Sequence, residues 1–352
     1  MTRTGTLNAR THRRLLDDGS RMIPVFGRSA ITLPTRSWRK TRACKSTGSG
    51  VVDLWSIDLF RQYLRSCDLI FNPGSRREEM LALKLRGRTP IVTTIEGLMC
   101  NEEDEKKYAE WAGHPVYCQR PSMSDGMQRL DRLYGESARI IAISPFLARM
   151  GERRYGNKIT VLPLGIDSGC FHAHERSALD TVRVATAGRL ESHKRPEVFF
   201  ELARRLPNAE FHWYGDGSLR ASLTEQAERE NVRNLRFPGS LSPEDLGTAF
   251  RKAHIFAMPS KSEGVPKVTQ EAAGCGLAQV IFGFYEAPSV IDGENGLVVW
   301  DDDQFHESVA RLVADSNLTR SFGQRGASMA SYFWDWDVLA PRWEQALLDQ
   351  VA

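Results

Sequence analysis

The segment Ser262-Glu263-Gly-Val-Pro-Lys-Val-Thr-Gln-Glu271-Ala-Ala-Gly-Cys-Gly276 decides the fold. It follows an apolar run typical of a buried strand and opens a helical pattern, with Pro266 suited to the first helical turn. The N–H groups and the positive end of that helix form an anion site. Glu263 and Glu271 suit a ligand that also carries hydroxyl groups, because carboxylates accept hydrogen bonds from hydroxyls. A capped helix with surface acids is the alternative without a ligand.

Two further segments in the same half of the chain lie where predicted strands end. Gly188 and Arg189 follow one strand, and Lys194 lies five residues further on. Arg189 and Lys194 are candidates for contact with a diphosphate, because Arg offers a fork of donors and Lys a point charge. Gly215 and Gly217 follow the next strand, where the absence of side chains lets the backbone approach a ligand. Each segment alone also fits an ordinary solvated turn.

Apolar runs alternate with helical patterns along the chain, which is typical of parallel sheets covered on both faces. The predicted strands lie at 22–26, 68–71, 90–95, 138–143 and 159–162, and then at 182–187, 209–214, 235–237, 254–258, 278–282 and 296–299. Residues 167–180 lack apolar periodicity and are expected to link the two series. Two doubly wound units joined in this way leave a cleft at the carboxyl ends of their strands.

Six motifs in order resemble the donor-binding half of a retaining glycosyltransferase of the GT-B fold, family 4 (glycosyl transferases group 1). They are the G-R-L…K segment from Gly188, the G-D-G turn from Gly215, the F-x-G segment from Phe237, the block over 259–274, the D-G-x-N-G-L-V-V run over 292–299 and the aromatic close over 332–336. The E-x7-E spacing of Glu263 and Glu271 is the most diagnostic piece.

This resemblance implies an α/β architecture with two Rossmann-like domains facing each other across a cleft. Residues 1–166 would be the acceptor-binding domain, with an atypical first 50 residues, and 167–180 the linker. Residues 181–336 would bind the nucleotide sugar. Residues 337–352 would form a helix that returns to the N-terminal domain.

The resemblance also implies roles for individual residues. Glu271 would hold the ribose, Glu263 would contact hydroxyls of the donor sugar, and Arg189 with Lys194 would stabilise the leaving diphosphate. Further donor-binding candidates are Gly264, Val265, Pro266 and Lys267, whose N–H groups (Pro266 excepted) would contact sugar and phosphates, and Gly188, Gly215, Gly217 and Phe237. Preorganised cations and amides stabilise the charge of a leaving diphosphate. No metal or cofactor is therefore expected, and the nucleotide sugar is a co-substrate.

The N-terminal half departs from the family pattern at one candidate catalytic residue. The family often has a His-Gly pair after a strand, where the His contacts the donor sugar, and this chain has Glu96-Gly97. Glu96 could hydrogen-bond a sugar hydroxyl or act as a base on an acceptor hydroxyl. It could equally mark altered specificity, a lost activity, or an acid with a structural partner.

Composition limits the classes that remain. Mean hydropathy is −0.38, and no apolar run approaches the ~20 residues of a bilayer span. The first 20 residues lack the apolar core of a secretory signal. Six scattered cysteines without a C-x-x-C pair favour reduced thiols and a cytoplasmic protein over a zinc site or a disulfide framework. The run Asp301-Asp302-Asp303 is interpreted as a solvated loop and helix cap, not as a metal site.

Charge is distributed unevenly along the chain. Residues 1–50, called the basic arm below, hold 11 Lys/Arg and 2 Asp/Glu, whereas the other 302 residues hold 36 and 42. Such an arm attracts phosphate-rich partners, among them an anionic membrane on its inner face or a lipid-linked acceptor, or is simply solvated. No specific nucleic-acid partner is expected.

Together these features predict transfer of a sugar from a UDP- or GDP-sugar to an acceptor hydroxyl, with retained anomeric configuration. The acceptor would belong to polysaccharide, lipopolysaccharide, glycolipid or glycosylated natural product synthesis. Two alternatives stay open. One is a catalytically impaired protein that binds nucleotide sugars, which Glu96 and the atypical N-terminal region favour. The other is a sugar-nucleotide epimerase or phosphorylase on the same fold.

Overall fold

The computed structural model describes residues 22–24, 61–62, 64–65, 67–71, 81–98, 102–118, 124–156, 158–174 and 181–350. Most of the basic arm and the second half of the predicted linker, residues 175–180, lie outside this description. The described strands form two sheets, and every strand pair in both sheets is parallel. The predicted α/β class with two parallel sheets is thereby confirmed.

The first sheet has five strands in the order in which they follow each other along the chain. They are β1 (Met22–Pro24), β2 (Leu69–Phe71), β3 (Ile91–Ile95), β4 (Arg139–Ala142) and β5 (Ile159–Val161). The helices whose bounds are described in this half are α1 (Leu81–Leu85), α2 (Glu102–Ala112), α3 (Ser124–Glu136) and α4 (Pro145–Tyr155). All five residues of β3 are buried, as expected for a strand covered on both faces.

The second sheet has six strands in the order β11-β10-β9-β6-β7-β8. They are β6 (Arg183–Ala187), β7 (Glu210–Tyr214), β8 (Leu235–Gly239), β9 (Ile255–Met258), β10 (Ala278–Phe282) and β11 (Gly296–Val299). Strand order reverses between the neighbours β6 and β9, which makes their carboxyl ends the topological switch point of a doubly wound sheet. Ligands of such sheets bind at that point.

Seven helices are described in the second half of the chain. They are α5 (Pro196–Arg205), α6 (Arg220–Arg229), α7 (Pro243–Arg251), α8 (Lys267–Gly274), α9 (Asp302–Ala314), α10 (Ser316–Phe333) and α11 (Trp336–Leu348). In α5 the apolar positions at helical spacing, among them Val198, Phe199 and Leu202, are buried as their periodicity predicts. Helix α8 begins one residue later than expected, because Pro266 is its N-cap and accepts a hydrogen bond from Thr269.

The last helix, α11, packs against the first sheet and not against the second. Leu339 and Trp343 belong to the core cluster of the five-stranded sheet, and the Trp343 indole donates a 2.8 Å hydrogen bond to the carbonyl of Pro163. The chain therefore crosses between the two units twice. Ile166 and Asp335 lie side by side at the crossings and form an isolated parallel bridge.

Two further observations concern membrane-spanning helices and the cysteines. In the described part of the chain, no helix combines the length and apolar character needed to cross a membrane. Cys118 is disulfide-bonded, so the expectation that all six thiols are reduced is wrong at that residue.

Candidate active site

The candidate site lies at the carboxyl ends of β6 and β9. The loop after β6 carries Gly188, Arg189 and Lys194, and the loop after β9 carries Glu263 and leads into α8. Because β6 and β9 are hydrogen-bonded neighbours, the two loops emerge side by side. The sheet topology thus brings the segments of Lys194 and Glu263 together, although these two residues lie 69 positions apart in the sequence.

A partly buried ion pair joins these two loops. The Lys194 ammonium donates to Glu263 Oε1, and the two side chains are 20% and 6% exposed. Removing a carboxylate from water is costly unless its charge is paired, so Lys194 makes the burial of Glu263 tolerable. Burial raises the pKa of the nearby Tyr285 hydroxyl, and the negative charge of Glu263 raises it further.

The loop after β6 is positively charged. Arg189 is exposed at its start, and Lys194 closes the 3₁₀ turn Ser192–Lys194. Burial lowers the pKa of His193, and the charges of Lys194 and Arg189 lower it further. Arg189 therefore offers an anion an exposed cation beside the switch point, and Lys194 adds a charge that Glu263 balances in this structure.

The glycines of the site serve the packing of adjacent turns. A Cβ atom at Gly215, where φ is +149°, would lie 1.9 Å from the carbonyl oxygen of Gly188. A Cβ atom at Gly217 would lie 2.4 Å from the carbonyl oxygen of Leu190. The Gly188 N–H donates to Tyr214 at 2.9 Å. The turns after β6 and β7 are thus in direct backbone contact, which no other residue type would permit.

Phe237 lies in β8 beside this stack of turns. Its ring packs partly buried against the core of the second sheet, and its carbonyl accepts a 3.1 Å hydrogen bond from Arg220. A cavity of about 520 Å³ runs between α6 and β8 and includes Phe237 and Arg220 in its lining. Neither Glu263 nor Glu271 lines it, so this cavity lies apart from the acids and is not assigned to the site.

Helix α8 places further candidates at the switch point. Lys267 is half-buried in its first turn, and Glu271, four residues later, is 6% exposed. Residues four apart share one helix face, so the two side chains point the same way. Gly264 and Val265 precede the helix in the turn that Pro266 caps.

Sequence reasoning missed Arg195, which follows Lys194. Arg195 adopts a left-handed conformation (φ 54°) immediately before the first residue of α5. Its guanidinium donates to Asp302 at the start of α9 and lies 5.4 Å from the ring centroid of Phe282. Burial acts to raise the pKa of Asp302, but the hydrogen bond and charge of Arg195 outweigh it and hold that pKa low. The only signal in the sequence is the following proline, which disfavours the right-handed helical region for Arg195.

Glu96 lies across the cleft, at the carboxyl end of β3. A Cβ atom at Gly264 would be 2.0 Å from the Glu96 carbonyl oxygen and 2.8 Å from Gly97 Cα. The Glu96 carboxylate accepts a 3.2 Å hydrogen bond from the Thr94 hydroxyl. The structure therefore places Glu96 beside the turn that carries Glu263, although the two lie in different halves of the chain.

Other contacts join the two halves near the same loops. The Ser262 hydroxyl donates to the carbonyl of Tyr117 at 2.8 Å. Glu286, after β10, accepts hydrogen bonds from Arg149 at 2.6 Å and His114 at 3.0 Å. These contacts were not predicted from the sequence, and we call the group of Glu286, Arg149 and His114 the interdomain latch.

No cluster of three or more His, Cys, Asp or Glu side chains suited to a metal ion occurs within the described ranges. Asp301, in the acidic run considered above, is the N-cap of α9 and accepts a 2.8 Å hydrogen bond from the Gln304 N–H. Asp302 pairs with Arg195.

The second half of the chain is similar to a known protein family. Residues 171–329 match the family model described as "Glycosyl transferases group 1". The chain is 29% identical over 240 residues to a D-inositol 3-phosphate glycosyltransferase of Segniliparus rotundus, covering 61% of this chain and 53% of that protein. It is 26% identical over 264 residues to a GDP-mannose-dependent monoacylated alpha-(1-6)-phosphatidylinositol monomannoside mannosyltransferase of Corynebacterium glutamicum, covering 67% of this chain and 68% of that protein.

The architecture is shared with solved structures. HepE of Anabaena, solved in complex with UDP, superposes with a TM-score of 0.68 at 15% identity, covering 83% of this chain and 82% of that chain. The predicted GT-B architecture is thereby confirmed. The chain spans about half of the length of the Segniliparus rotundus relative, and its similarity to the group 1 glycosyl transferase model is confined to residues 171–329.

Proposed function

We propose that this protein is a retaining, family 4 glycosyltransferase that moves a sugar from a nucleoside diphosphate sugar to an acceptor hydroxyl. The observation that carries the proposal is the partly buried pair of Lys194 and Glu263 at the switch point of the sheet, within the residues that match the group 1 glycosyl transferase model. Two basic side chains (Arg189 and Lys194), a helix N-terminus and acids that can accept hydroxyl hydrogen bonds lie together there. Those are the groups that a sugar joined to a diphosphate requires.

In this proposal the diphosphate binds between the cationic loop and the start of α8. Arg189 and Lys267 contact its oxygens, together with the N–H groups of Gly264 and Val265. Glu271, one turn further along α8, accepts hydrogen bonds from the ribose hydroxyls. Gly188, Gly215, Gly217 and Phe237 bound the nucleotide end, and the close packing of their turns fixes its shape.

In the chemical step the acceptor oxygen bonds to the anomeric carbon on the face that the diphosphate leaves, the bond from that carbon to the diphosphate oxygen breaks, and the hydroxyl proton passes to the departing diphosphate. Negative charge accumulates on the departing diphosphate, and Arg189 with Lys194 stabilises it. Lys194 is already held in place by Glu263, so its charge is oriented before the reaction begins. Glu263 accepts hydrogen bonds from hydroxyls of the donor sugar, and Glu96 faces the same turn from the other domain.

Several relatives support this class of substrate. The mannosyltransferase of Corynebacterium glutamicum is named as GDP-mannose-dependent, and HepE was solved with UDP. We propose a UDP- or GDP-sugar as donor and a polysaccharide, lipopolysaccharide, glycolipid or glycosylated natural product as acceptor.

The same proposal includes three further points. The reaction needs no metal, the protein is cytoplasmic, and the basic arm makes peripheral contact with anionic membrane. Salt-sensitive liposome binding that disappears on deletion of residues 1–50 tests the last point.

A second candidate is a protein that binds nucleotide sugars without turnover. The specific observation favouring it is Glu96, a carboxylate in the cleft at the place where the family pattern has a histidine. Such a protein would bind the donor and release no nucleoside diphosphate with any acceptor.

The test is a product assay with a panel of UDP- and GDP-sugars and candidate acceptors. We expect nucleoside diphosphate to be released in an acceptor-dependent manner, and NMR of the product to show the anomeric configuration of the donor. Glu263→Gln should reduce turnover by about 10²-fold or more. An inverted product would exclude the retaining mechanism, and acceptor-independent conversion would favour an epimerase or phosphorylase.

A further inference from the structure

The backbone of Glu96 is held beside the turn that begins α8. It follows β3, whose residues are all buried, so its backbone is fixed by the core of the first sheet. Its carbonyl is in van der Waals range of Gly264, the residue next to Glu263. Glu96 therefore faces the turn that begins α8, and its position does not depend on a surface loop.

The charge of Glu96 differs from that of Glu263 in how it is balanced. Glu263 is paired with Lys194. Among the described residues, no Lys, Arg or His side chain lies within ion-pair distance of Glu96, and its hydrogen-bond donor is the neutral hydroxyl of Thr94. Tyr134 lies close by: burial raises the pKa of its hydroxyl, and the charge of Glu96 raises it further. The half-buried carboxylate of Glu96 thus adds a net negative charge to this wall.

The covalent connection between sugar and diphosphate places the sugar near this charge. If the diphosphate binds at the positive end of α8, the sugar on its terminal phosphate must lie within a few ångströms of the turn at Gly264. Glu263 precedes Gly264 in that turn, and the backbone of Glu96 contacts the turn from the other domain. A sugar hydroxyl can donate to a carboxylate, whereas a sugar carboxylate would meet a like charge in a partly desolvated cleft.

We infer that Glu96 makes the sugar subsite select neutral sugars and reject acidic ones. This inference rests on the proposed function, because it requires that a nucleoside diphosphate sugar occupies the cleft. Glu96 is then a specificity-determining residue, because no cation among the described residues balances its charge. The subsite for neutral sugars extends from Glu263 to Glu96.

The test compares donors that differ only in a hydroxymethyl group or a carboxylate at carbon 6 of the sugar. UDP-glucose with UDP-glucuronate, and GDP-mannose with GDP-mannuronate, give one pair for each base. Calorimetry on the full chain should show the neutral member binding at least about tenfold more tightly, as expected for a like charge at close range. Glu96→Gln should lower this preference about fivefold or more by strengthening binding of the acidic member.

Controls separate this inference from the proposed function. UDP and GDP alone report whether the nucleotide site exists, and Glu110→Gln, on the surface-facing helix α2, controls for loss of one negative charge. If neither nucleotide binds, the proposed function fails. If a nucleotide binds but its neutral and acidic conjugates bind equally to the wild type, or the preference persists in Glu96→Gln, the inference about Glu96 is overturned.

Discussion

At the scale of single residues, the site depends on charged groups and backbone atoms that neighbouring residues hold in place. Glu263 is 6% exposed and is neutralised by Lys194, and Gly215 is in contact with the backbone of Gly188. The sequence predicted all four as site residues but gave the glycines a ligand-facing role. The structure shows a packing reason at Gly215, where a Cβ atom would collide with the backbone of Gly188, and the ligand-facing role stays a prediction. A sequence motif predicts that a position must lack a side chain, and only the fold shows which neighbouring atoms leave no room for one.

Replacing Lys194 with Ala should destabilise the protein. The change leaves Glu263 as a buried charge without its ammonium partner, and the expected loss is about 2–4 kcal/mol in the free energy of unfolding. Urea denaturation at pH 7 measures it. Glu263→Gln combined with Lys194→Ala should recover part of the loss, because no charge then stays buried. Lys107→Ala, which breaks an exposed pair with Glu103, is the control and should change little. An equal loss of stability in Lys194→Ala and Lys107→Ala would contradict the assignment of Lys194 as the partner that neutralises Glu263.

Gly215→Ala should be more damaging than an alanine elsewhere. The new Cβ atom would lie 1.9 Å from a carbonyl oxygen in a backbone conformation that side chains rarely adopt, so we expect a loss of about 2 kcal/mol or more. Gly135→Ala in α3 has no heavy atom within 4 Å of its Cβ and should be neutral or slightly stabilising. Thermal unfolding of both variants decides the matter. A Gly215→Ala protein as stable as Gly135→Ala would show that the turns are not in contact.

At the scale of elements, buried strands and strongly periodic helices were predicted well. The bounds of β10 and β11 match the predicted runs, and α5 buries the apolar face that its sequence predicts. The start of α8 was placed one residue early, because a proline is compatible with both the N-cap and the first turn. Sequence patterns fix which residues are buried more firmly than they fix where a helix ends.

Helix α11 should stabilise the first sheet, although it follows the second in the chain. Trp343 is fully buried in the core of the first sheet, where its ring lies 6.2 Å from that of Phe71. Trp343→Ala should therefore cost about 3–5 kcal/mol, and Trp343→Phe less. Val338→Ala, at an exposed position of the same helix, should cost under about 1 kcal/mol. Chemical denaturation of the three variants checks the order, and similar values for Trp343→Ala and Val338→Ala would refute the docking of α11.

At the scale of the whole molecule, the interdomain contacts were the features that the sequence could not predict. His114 and Arg149 meet Glu286 across 172 and 137 residues of chain, and periodicity carries no information about such pairs. The same holds for the contact between Glu96 and Gly264. The sequence identified Glu96 as a departure from the family pattern, but only the arrangement of two domains places it beside Glu263. The roles of these residues toward a ligand stay predictions.

The interdomain latch should weaken at low pH. Burial acts to raise the pKa of Glu286, but hydrogen bonds from Arg149 and His114 outweigh it and lower that pKa. Because the pKa of Glu286 is lowered, its ionised carboxylate stabilises the contact between the two halves at any pH above the ordinary glutamate pKa of about 4.3. This stabilisation is lost as the pH falls through the lowered pKa. Small-angle scattering should show the wild type expanding only at a pH below the ordinary carboxyl pKa, whereas Glu286→Gln should be expanded already at pH 7. Glu103→Gln is the charge control, and identical profiles for all three proteins would argue against the latch.

The central claim is that the switch point of the second sheet binds a nucleoside diphosphate sugar. Thermal shift and calorimetry with UDP, GDP and their common sugar conjugates test it most directly, on the wild type, Glu271→Ala and the exposed control Glu225→Ala. A ligand that binds only the native state must raise the melting temperature. We predict stabilisation by one nucleotide family, retained in Glu225→Ala and lost in Glu271→Ala. No stabilisation of the wild type, or equal stabilisation of Glu271→Ala, would contradict the account.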